Sequence, residues 1–174
     1  MSIEKISATI RDVNDFPKKG IVFKDITPVI HDGKMFSEVI DIFQSMVQPD
    51  KPDYIVAIES RGFIFGSALA DRLGCGIVPV RKKGKLPYRT IEESYDLEYG
   101  SATIEIHKDA LKKGDKVILI DDLLATGGTA SASVRLVEKL GAEICGIFFL
   151  VELKFCNGRE KLASHPVKSL ISFD

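Results

Sequence analysis

Short apolar runs and longer helix-periodic segments alternate along most of the chain. The apolar runs have strand length and are bounded by polar or turn-forming residues; they are Tyr54–Ile58, Gly76–Val80, Val117–Ile120 and Ile144–Val151. Apolar residues recur at helical spacing in three further segments, Phe36–Val47, Phe63–Leu73 and Ala130–Leu140. Buried strands that alternate with helices predict an α/β fold with a mostly parallel central sheet flanked by helices.

Three parts of the chain depart from this alternation. Residues 1–34 contain two prolines and two glycines, which predicts an irregular arm with one short strand around residues 20–26. Residues 81–100 begin polar and lead into a hairpin that turns at Gly100, which predicts a flexible loop inserted into the domain. After the last long strand, Asn157–Gly158 predicts a turn, residues 159–163 a short helix, and Ser169–Phe173 an edge strand.

The composition narrows the class of protein. A chain of 174 residues without a repeat or linker predicts a single domain, 1–174, and a net charge of -1 gives no support for nucleic-acid binding through broad electrostatics. The three cysteines form no CxxC pair, and residues 1–13 contain no apolar segment typical of a signal peptide. The longest uninterrupted apolar run, Ile147–Val151, is too short to span a bilayer. We therefore expect a cytoplasmic protein that contacts neither nucleic acid nor membrane.

The strand Val117–Ile120 leads directly into the strongest candidate site. Two carboxylates, Asp121 and Asp122, end the predicted strand, and the small polar loop Ala125–Thr129 precedes a helix. Unpaired N–H groups and a partial positive charge make a helix start suitable for an anion, and two glycines allow close backbone approach with a positive φ. Carboxylates suit sugar hydroxyls or a cation that accompanies phosphates. The combination predicts a sugar-phosphate site.

A second polar segment follows the strand Tyr54–Ile58. Parallel strands bind ligands at their carboxyl ends, so the sequence Glu59–Gly62 should lie at the same sheet edge as Asp121. The segment Arg81–Lys85 holds four cations just past another strand and could pair with an oligophosphate. The sequence contains no HExxH, GxxxxGK[ST] or GxGxxG motif, and its three histidines are isolated in sequence. These absences disfavour a zinc, P-loop or dinucleotide site.

Five segments, in order along the chain, resemble the type I phosphoribosyltransferase family, and in particular its adenine-specific members. They are GIVFKDITP, ESRGFIFG, RKKGKLP, SYDLEYG and VILIDDLLATGGT. The resemblance extends from about Asp15 to Lys161, nearly the whole chain. The resemblance implies the type I phosphoribosyltransferase fold and the transfer of ribose 5-phosphate from 5-phospho-α-D-ribose 1-diphosphate (PRPP) to adenine. It further implies a magnesium ion, held through PRPP and water near Asp121 and Asp122 and not directly by the protein, and a homodimer.

The resemblance also implies roles for individual residues around PRPP. The loop formed by Ala125, Thr126, Gly127, Gly128 and Thr129 would hold the 5′-phosphate. Asp121 and Asp122 would hold the ribose hydroxyls or the hydrated cation. Arg61, Ser60 and Lys85 would face the pyrophosphate, and the Glu59–Ser60 peptide is often cis in this fold. Cations on the leaving group would stabilise the charge separation of an oxocarbenium-like transition state.

The base would be handled by two further groups of residues. Glu98 would manage the proton of the purine N9, and Tyr99 would help close a lid that excludes water. Val22, Phe23 and Lys24 match the adenine-recognition segment of the family, with Phe23 stacking on one face of the base and Leu123 on the other. Lys24 departs from the arginine that is more usual there, which matters only if the position acts through its side chain.

Two alternatives stay open at this point. The first is a related phosphoribosyltransferase for another purine, xanthine or hypoxanthine, against which the absence of a recognisable lysine-bearing pocket argues weakly. The second is a non-catalytic domain that senses PRPP or purine. A DNA-binding domain usually accompanies such sensors, and 174 residues leave no room for one.

Overall fold

The computed structural model describes residues 3–47, 51–97 and 100–174 and divides the chain into two units, Met1–Ile42 and Phe43–Asp174. The predicted arm, residues 1–34, lies within the first unit. That unit also contains most of the first long amphipathic helix, whose last turn belongs to the second unit.

The N-terminal unit is more regular than the sequence pattern predicts. Its elements are α1 (Ile3–Thr9), β1 (Arg11–Asn14), β2 (Val22–Asp25), α2 (Thr27–His31) and the start of α3 (Gly33–Val47). The predicted short strand is β2, which pairs antiparallel with β1 in the register Arg11 with Asp25. The prediction of an otherwise irregular arm was wrong, because β1 is almost wholly exposed and its strand geometry depends on pairing with β2 instead of an apolar pattern.

The second unit contains the predicted alternation. Its elements are β3 (Tyr54–Ile58), α4 (Gly62–Leu73), β4 (Gly76–Lys82), β5 (Thr90–Asp96), β6 (Ser101–His107), β7 (Lys116–Leu124), α5 (Gly128–Leu140), β8 (Glu143–Leu153) and β9 (Val167–Phe173). Two short 3-10 helices, Lys154–Cys156 and Gly158–Leu162, connect β8 to β9. The predicted short helix and final edge strand are thus present.

The strands form one seven-stranded sheet in the order β5-β6-β4-β3-β7-β8-β9. Neighbours from β4 to β9 are parallel, and the hairpin β5–β6 adds an antiparallel edge. The chain leaves β3 towards β4 on one side, and β7 later pairs with β3 on the other. The strand order therefore reverses between β3 and β7, which is the position where open α/β sheets bind ligands. The predicted fold class, a mostly parallel sheet flanked by helices, is confirmed.

The core lies around β3, β7 and β8. Val117 through Ile120 are completely buried, as are Phe148 and Phe149 of β8. The helix α4 packs against β3 and β7, and α5 packs against β5, β6 and β8. Helices therefore cover the strands, which explains why the central strands read as continuous apolar runs instead of alternating ones. No helix in the described part of the chain is long and apolar enough to cross a membrane.

Two predicted boundaries differ from the structure. The strand β7 does not end at Asp121 and Asp122 but continues to Leu124, because β8 is long enough to keep pairing, Asp121 with Phe149 and Leu123 with Val151. Within the predicted loop 81–100, β4 extends to Lys82 and β5 occupies Thr90–Asp96. The two aspartates therefore sit on a strand, and the predicted loop is in large part a sheet edge.

The absence of a side chain at Gly66 sets how closely α4 approaches the sheet. A Cβ atom there would lie 2.6 Å from Ala57 Cβ and 3.2 Å from Ile120 Cγ2. We expect Gly66→Ala to lower the free energy of unfolding by about 2 kcal/mol, because overpacking outweighs the gain in helix propensity. Urea denaturation would measure the change. Ser67→Ala, on the exposed face of the same helix, is the matched control, and equal stability of both variants would contradict the proposed close packing.

Candidate active site

The carboxyl ends of β3 and β7 open into a cleft of about 540 Å³. Its polar lining comes from the segment after β3, the basic segment after β4, the end of β7 and the start of α5. The lining residues are Ile58, Glu59, Ser60, Arg61, Val80, Lys82, Lys85, Tyr95, Ile104, Asp121, Asp122, Leu123 and Thr129. The cleft thus brings together seven of the residues predicted from sequence, namely Ser60, Arg61, Lys85, Asp121, Asp122, Leu123 and Thr129.

The two carboxylates of β7 share one enclosed position at the floor of the cleft. Asp122 is 4% exposed, and its backbone N–H donates to Asp121 Oδ1 at 2.9 Å. Arg61 Nε lies 3.0 Å from Asp122 Oδ2 and forms an ion pair with it, although this oxygen accepts no well-aligned hydrogen bond within the described residues. Burial raises the pKa of both carboxyls, and the adjacent charge of Asp122 raises that of Asp121 further.

Gly62, the first residue of α4, allows Asp121 to occupy this position. A Cβ atom on Gly62 would lie 2.9 Å from Asp121 Oδ1 and 3.0 Å from Ile120 O. Any side chain at residue 62 would therefore collide with the carboxylate or with the strand that carries it. The sequence pattern gave Gly62 no role beyond ending the polar segment after β3, because the contact joins residues far apart in the chain.

Glu59 binds the basic segment from inside the cleft. Its Oε1 accepts a hydrogen bond from Lys85 Nζ at 2.7 Å, and its Oε2 accepts from Lys82 N at 3.0 Å and Arg81 Nε at 3.3 Å. Burial opposes ionisation, but these donors together hold the pKa of Glu59 below its usual value. Lys85 thus lines the cleft and is bonded to a carboxylate of the same cleft.

Glu105 supports the same segment from β6. It is 3% exposed, and its Oε1 accepts hydrogen bonds from Lys85 N at 2.9 Å and Leu86 N at 2.8 Å. Burial alone would raise the pKa of Glu105, and the backbone N–H groups bring it below the usual range. Two ionised carboxylates, Glu59 and Glu105, therefore anchor a run of cations that would otherwise repel one another. The sequence predicted this anchoring role for neither glutamate.

A smaller recess of about 100 Å³ adjoins the cleft where α5 begins. It shares Asp121, Leu123 and Thr129 with the cleft and is otherwise lined by Leu124, Ala125, Thr126, Gly127, Gly128 and Ala130. The predicted loop Ala125–Thr129 thus forms one concave surface. Its backbone N–H groups at the start of a thirteen-residue helix suit an anion.

The two glycines of this loop serve different purposes. Gly127 is the N-cap of α5 and has φ 74°, a left-handed conformation that favours glycine. The expectation of a positive φ at Gly128 was wrong, since only Gly127 in this loop adopts one. The constraint at Gly128 is contact, because a Cβ atom there would lie 3.0 Å from Cδ2 of Tyr95.

Tyr95 connects the hairpin to the loop. Its hydroxyl oxygen accepts a hydrogen bond from Thr129 Oγ1 at 2.9 Å, and its ring covers Gly128. In the sequence Tyr95 belongs to the predicted hairpin and to the segment SYDLEYG, but neither gave it a role. Its partner lies 34 residues away, so the local pattern could not reveal the contact.

Five further predicted residues belong to other segments of the chain. Glu98 and Tyr99 fall outside the described residues. Val22, Phe23 and Lys24 lie on β2 of the N-terminal unit, where Phe23 packs edge-on against Phe16 with ring centroids 5.2 Å apart. Lys24 Nζ donates to Asp12 Oδ1 at 2.6 Å. The Glu59–Ser60 peptide is cis, and Ser60 is exposed.

The donor set at the cleft floor fits a hydrated divalent cation. Within residues 3–47, 51–97 and 100–174, no group of three or more His, Cys, Asp or Glu side chains is arranged to hold a metal ion. Asp121 and Asp122 nevertheless present carboxylate oxygens, the donors that magnesium prefers, and one of them is buried without a hydrogen bond in this part of the chain. Two carboxylates fit a cation that keeps its water ligands and is bound mainly by a substrate.

The chain is similar to known proteins over nearly its whole length. Residues 29–173 match the phosphoribosyl transferase domain family. The chain is 53% identical over 173 residues to the adenine phosphoribosyltransferase of Thermoanaerobacter pseudethanolicus, covering 99% of this chain and 100% of that protein. The crystal structure from that organism superimposes with a TM-score of 0.96 at 99% and 100% coverage. The Saccharomyces cerevisiae adenine phosphoribosyltransferase, complexed with adenine and an imino-altritol bisphosphate, is 43% identical, with a TM-score of 0.93 and 97% coverage of both chains.

The raised pKa of Asp121 predicts a measurable pH dependence of stability. Above its ordinary value of 3.8, the unfolded chain loses a proton that the folded protein retains, so the carboxyl increasingly disfavours folding as pH rises. We expect Asp121→Asn to raise the free energy of unfolding at pH 7 by about 1 kcal/mol, the order of a burial penalty, and to give no gain below pH 3.8.

Urea denaturation of both proteins between pH 3 and 8 would measure this difference. Asp109→Asn, at an exposed position, controls for the loss of one negative charge. A stability difference between wild type and Asp121→Asn that shrinks with rising pH would contradict the raised pKa.

Proposed function

This chain belongs to the phosphoribosyltransferase family, among the adenine phosphoribosyltransferases, and we propose that its cleft and its glycine loop hold the two ends of one PRPP molecule. The enzyme converts adenine and PRPP into AMP and diphosphate, a reaction of purine salvage. One observation carries the assignment of the site: the acidic end of β7 joins an anion-binding helix start on one side and a cationic cleft wall on the other. PRPP has this order of groups, with a ribose between a phosphate and a pyrophosphate.

The 5′-phosphate binds the loop Ala125–Thr129. This assignment is supported by the backbone N–H groups at the start of α5, by the hydroxyls of Thr126 and Thr129, and by the close approach that Gly127 allows. The ribose then lies over Asp121 and Asp122, whose carboxylates accept hydrogen bonds from its hydroxyls. Because burial raises the pKa of both carboxyls, hydroxyl donors or a nearby cation are needed to stabilise their ionised forms.

The pyrophosphate lies against Ser60, Arg61 and Lys85, and the exposed end of Lys82 adds a further cation to this wall. Arg61 is paired with Asp122 and Lys85 with Glu59. These pairs fix the two cations at the cleft, where they face the anion. Cationic contacts strengthen as negative charge accumulates on the leaving pyrophosphate, while the ribose becomes oxocarbenium-like.

A magnesium ion bound with PRPP would neutralise charge on the pyrophosphate and make the pyrophosphate a better leaving group. Asp121 and Asp122 are the residues that would hold its water ligands, which the fit of their oxygen donors supports. The protein's own contribution is to fix these carboxylates: Gly62 leaves room for Asp121, and Arg61 compensates the charge of Asp122.

Glu98 handles the N9 proton of the base, and Tyr99 helps to exclude water from the reacting atoms. These roles rest on the SYDLEYG resemblance, since both residues lie outside the described part of the chain. Removing the proton from N9 makes that nitrogen a better nucleophile, and a carboxylate in hydrogen-bond reach performs such transfers.

Adenine recognition is assigned to Val22, Phe23 and Lys24, again from the resemblance, and Leu123 of the cleft supplies an apolar contact to the base. Because Lys24 Nζ is bonded to Asp12, recognition by the backbone of residue 24 is favoured over recognition by its side chain. Backbone groups distinguish a 6-amino from a 6-oxo purine, because the latter leaves buried polar groups unpaired.

A homodimer and a cytoplasmic location complete the proposal. The family resemblance supports the dimer, and the three cysteines, none of them in a CxxC pair, are consistent with a reducing compartment. Sedimentation equilibrium of the purified chain would test the dimer, and a single species at the monomer mass would contradict it.

The function is tested by measuring diphosphate release from PRPP with magnesium and one base at a time: adenine, hypoxanthine, guanine or xanthine. We expect adenine to react with a kcat/KM at least about 10³-fold above that of the 6-oxopurines, because a mismatched polar edge can cost orders of magnitude. A higher kcat/KM with hypoxanthine would instead support the alternative purine substrate. Tight PRPP binding without AMP formation from any base would support the sensing domain.

We expect Glu98→Gln to lower kcat by about 10²-fold or more, because acid–base catalysis typically contributes 10²–10⁴. PRPP affinity, measured by calorimetry, should change little. Glu92→Gln is the matched control, since Glu92 precedes Glu98 by six positions in the sequence and pairs with Lys83 at the surface. An unchanged kcat in Glu98→Gln would remove this residue from the mechanism.

A further inference from the structure

A buried carboxylate lies on β8, away from the cleft. Glu152 is 5% exposed, and its Oε1 accepts a hydrogen bond from Arg159 Nε at 2.8 Å. Its Oε2 accepts from a second guanidinium nitrogen of Arg159 and from Ser169 Oγ at 2.8 Å. The hydrogen bonds from Arg159 hold the pKa of Glu152 below its usual value, so the pair is ionised at neutral pH. A two-point contact of this kind fixes the plane of the guanidinium.

Arg159 ties three elements together. It belongs to the 3-10 helix Gly158–Leu162, its side chain binds Glu152 of β8, and its NH1 donates to Val167 O of β9 at 2.8 Å. The backbone of residues 157–159 is therefore anchored to two neighbouring strands of the sheet. Anchored in this way, the turn has little freedom to shift along the end of the sheet.

Gly158, the neighbour of Arg159, lies directly against the glycine loop. A Cβ atom on Gly158 would overlap Ala125 O and would lie 2.8 Å from Gly127 N and 2.9 Å from the carbonyl carbon of Thr126. Conversely, a Cβ atom on Gly127 would overlap Gly158 O. The turn and the loop thus meet backbone to backbone, with no side chain between them to absorb a displacement.

We propose that Glu152 and Arg159 are positioning residues for the glycine loop Ala125–Thr129, acting through the backbone of Gly158. The ion pair fixes the turn, and the turn forms the rear wall against which the loop takes its anion-binding shape. Neither side chain contacts substrate in this proposal. It rests on the proposed role of the loop in holding the 5′-phosphate, because a small displacement of loop N–H groups weakens phosphate binding.

Gly158→Ala tests the contact itself. Gly158 does not have a positive φ, so alanine suits its backbone conformation and only the contact with the loop opposes it. We expect KM for PRPP to rise about tenfold or more, since misplacement of binding groups by 1 Å can cost 10²-fold. Affinity for ribose 5-phosphate, measured by calorimetry, should fall in parallel, whereas affinity for inorganic diphosphate with magnesium should stay unchanged.

Gly33→Ala is the matched glycine control, because a Cβ atom there meets nothing within 4 Å and its φ is not positive. Arg159→Lys tests the ion pair, since lysine keeps the charge but loses the two-point contact. We expect it to weaken ribose 5-phosphate binding as Gly158→Ala does, with a smaller effect. Lys154→Met is its control, because it removes an exposed ion pair with Asp174 in the same part of the chain.

The outcomes separate this inference from the proposed function. Wild-type protein that forms no AMP and binds no ribose 5-phosphate would contradict the proposed function before any variant is considered. Wild-type activity combined with an unchanged KM for PRPP in folded Gly158→Ala and Arg159→Lys would overturn the positioning role. Equal weakening of ribose 5-phosphate and diphosphate binding would also overturn it, because that result would indicate a general structural defect and not a displaced loop.

Discussion

Two adjacent carboxylates held in a nearly closed position are the constraint on which the rest of the site depends. They belong to β7, an inner strand of the sheet, and the four residues that precede them in this strand are fully buried. Ionised carboxylates are costly in such surroundings, and the structure compensates with the Arg61 guanidinium, the N–H of Asp122 and the space left by Gly62. Each compensating group comes from the start of α4 or from the pair itself. The packing of α4 on β3 and β7 is therefore a requirement of the chemistry as well as of the fold.

The cationic wall of the cleft is likewise stabilised by groups of opposite charge, here carboxylates beside cations. A run of four cations in five residues would repel itself in a free loop, yet here Glu59 and Glu105 accept hydrogen bonds from its side chains and backbone. Both glutamates are well buried, and their pKa values are held low by the donors they serve. The cleft thus contains nearly balanced charge, which lets it present cations to an anionic substrate without a large self-repulsion.

Elements with a strong local signal could be predicted from the sequence, and contacts between distant residues could not. The buried strands, α4, α5 and the glycine loop were predicted because apolar periodicity and small polar residues mark them directly. The continuation of β7 through Asp121 was missed, because it depends on the length of β8. The regular N-terminal unit was missed because β1 is nearly all polar. Tyr95, Glu105 and Gly158 were missed because their contact partners lie between 19 and 34 residues away in the chain. The roles assigned to Glu98, Tyr99 and Phe23 came from family resemblance, and no periodicity could have supplied them.

The contact between Gly127 and Gly158 has a consequence for how changes at these two positions combine. Each backbone occupies the space that a side chain on the other would need. Once a substitution at one position has pushed the loop and the turn apart, the second substitution has less contact left to break. The loss of unfolding free energy in the double variant should therefore be smaller than the sum of the losses in the two single variants, as is usual for residues that share a contact. Two glycines that stand 31 positions apart in the chain thus behave, energetically, as a single site.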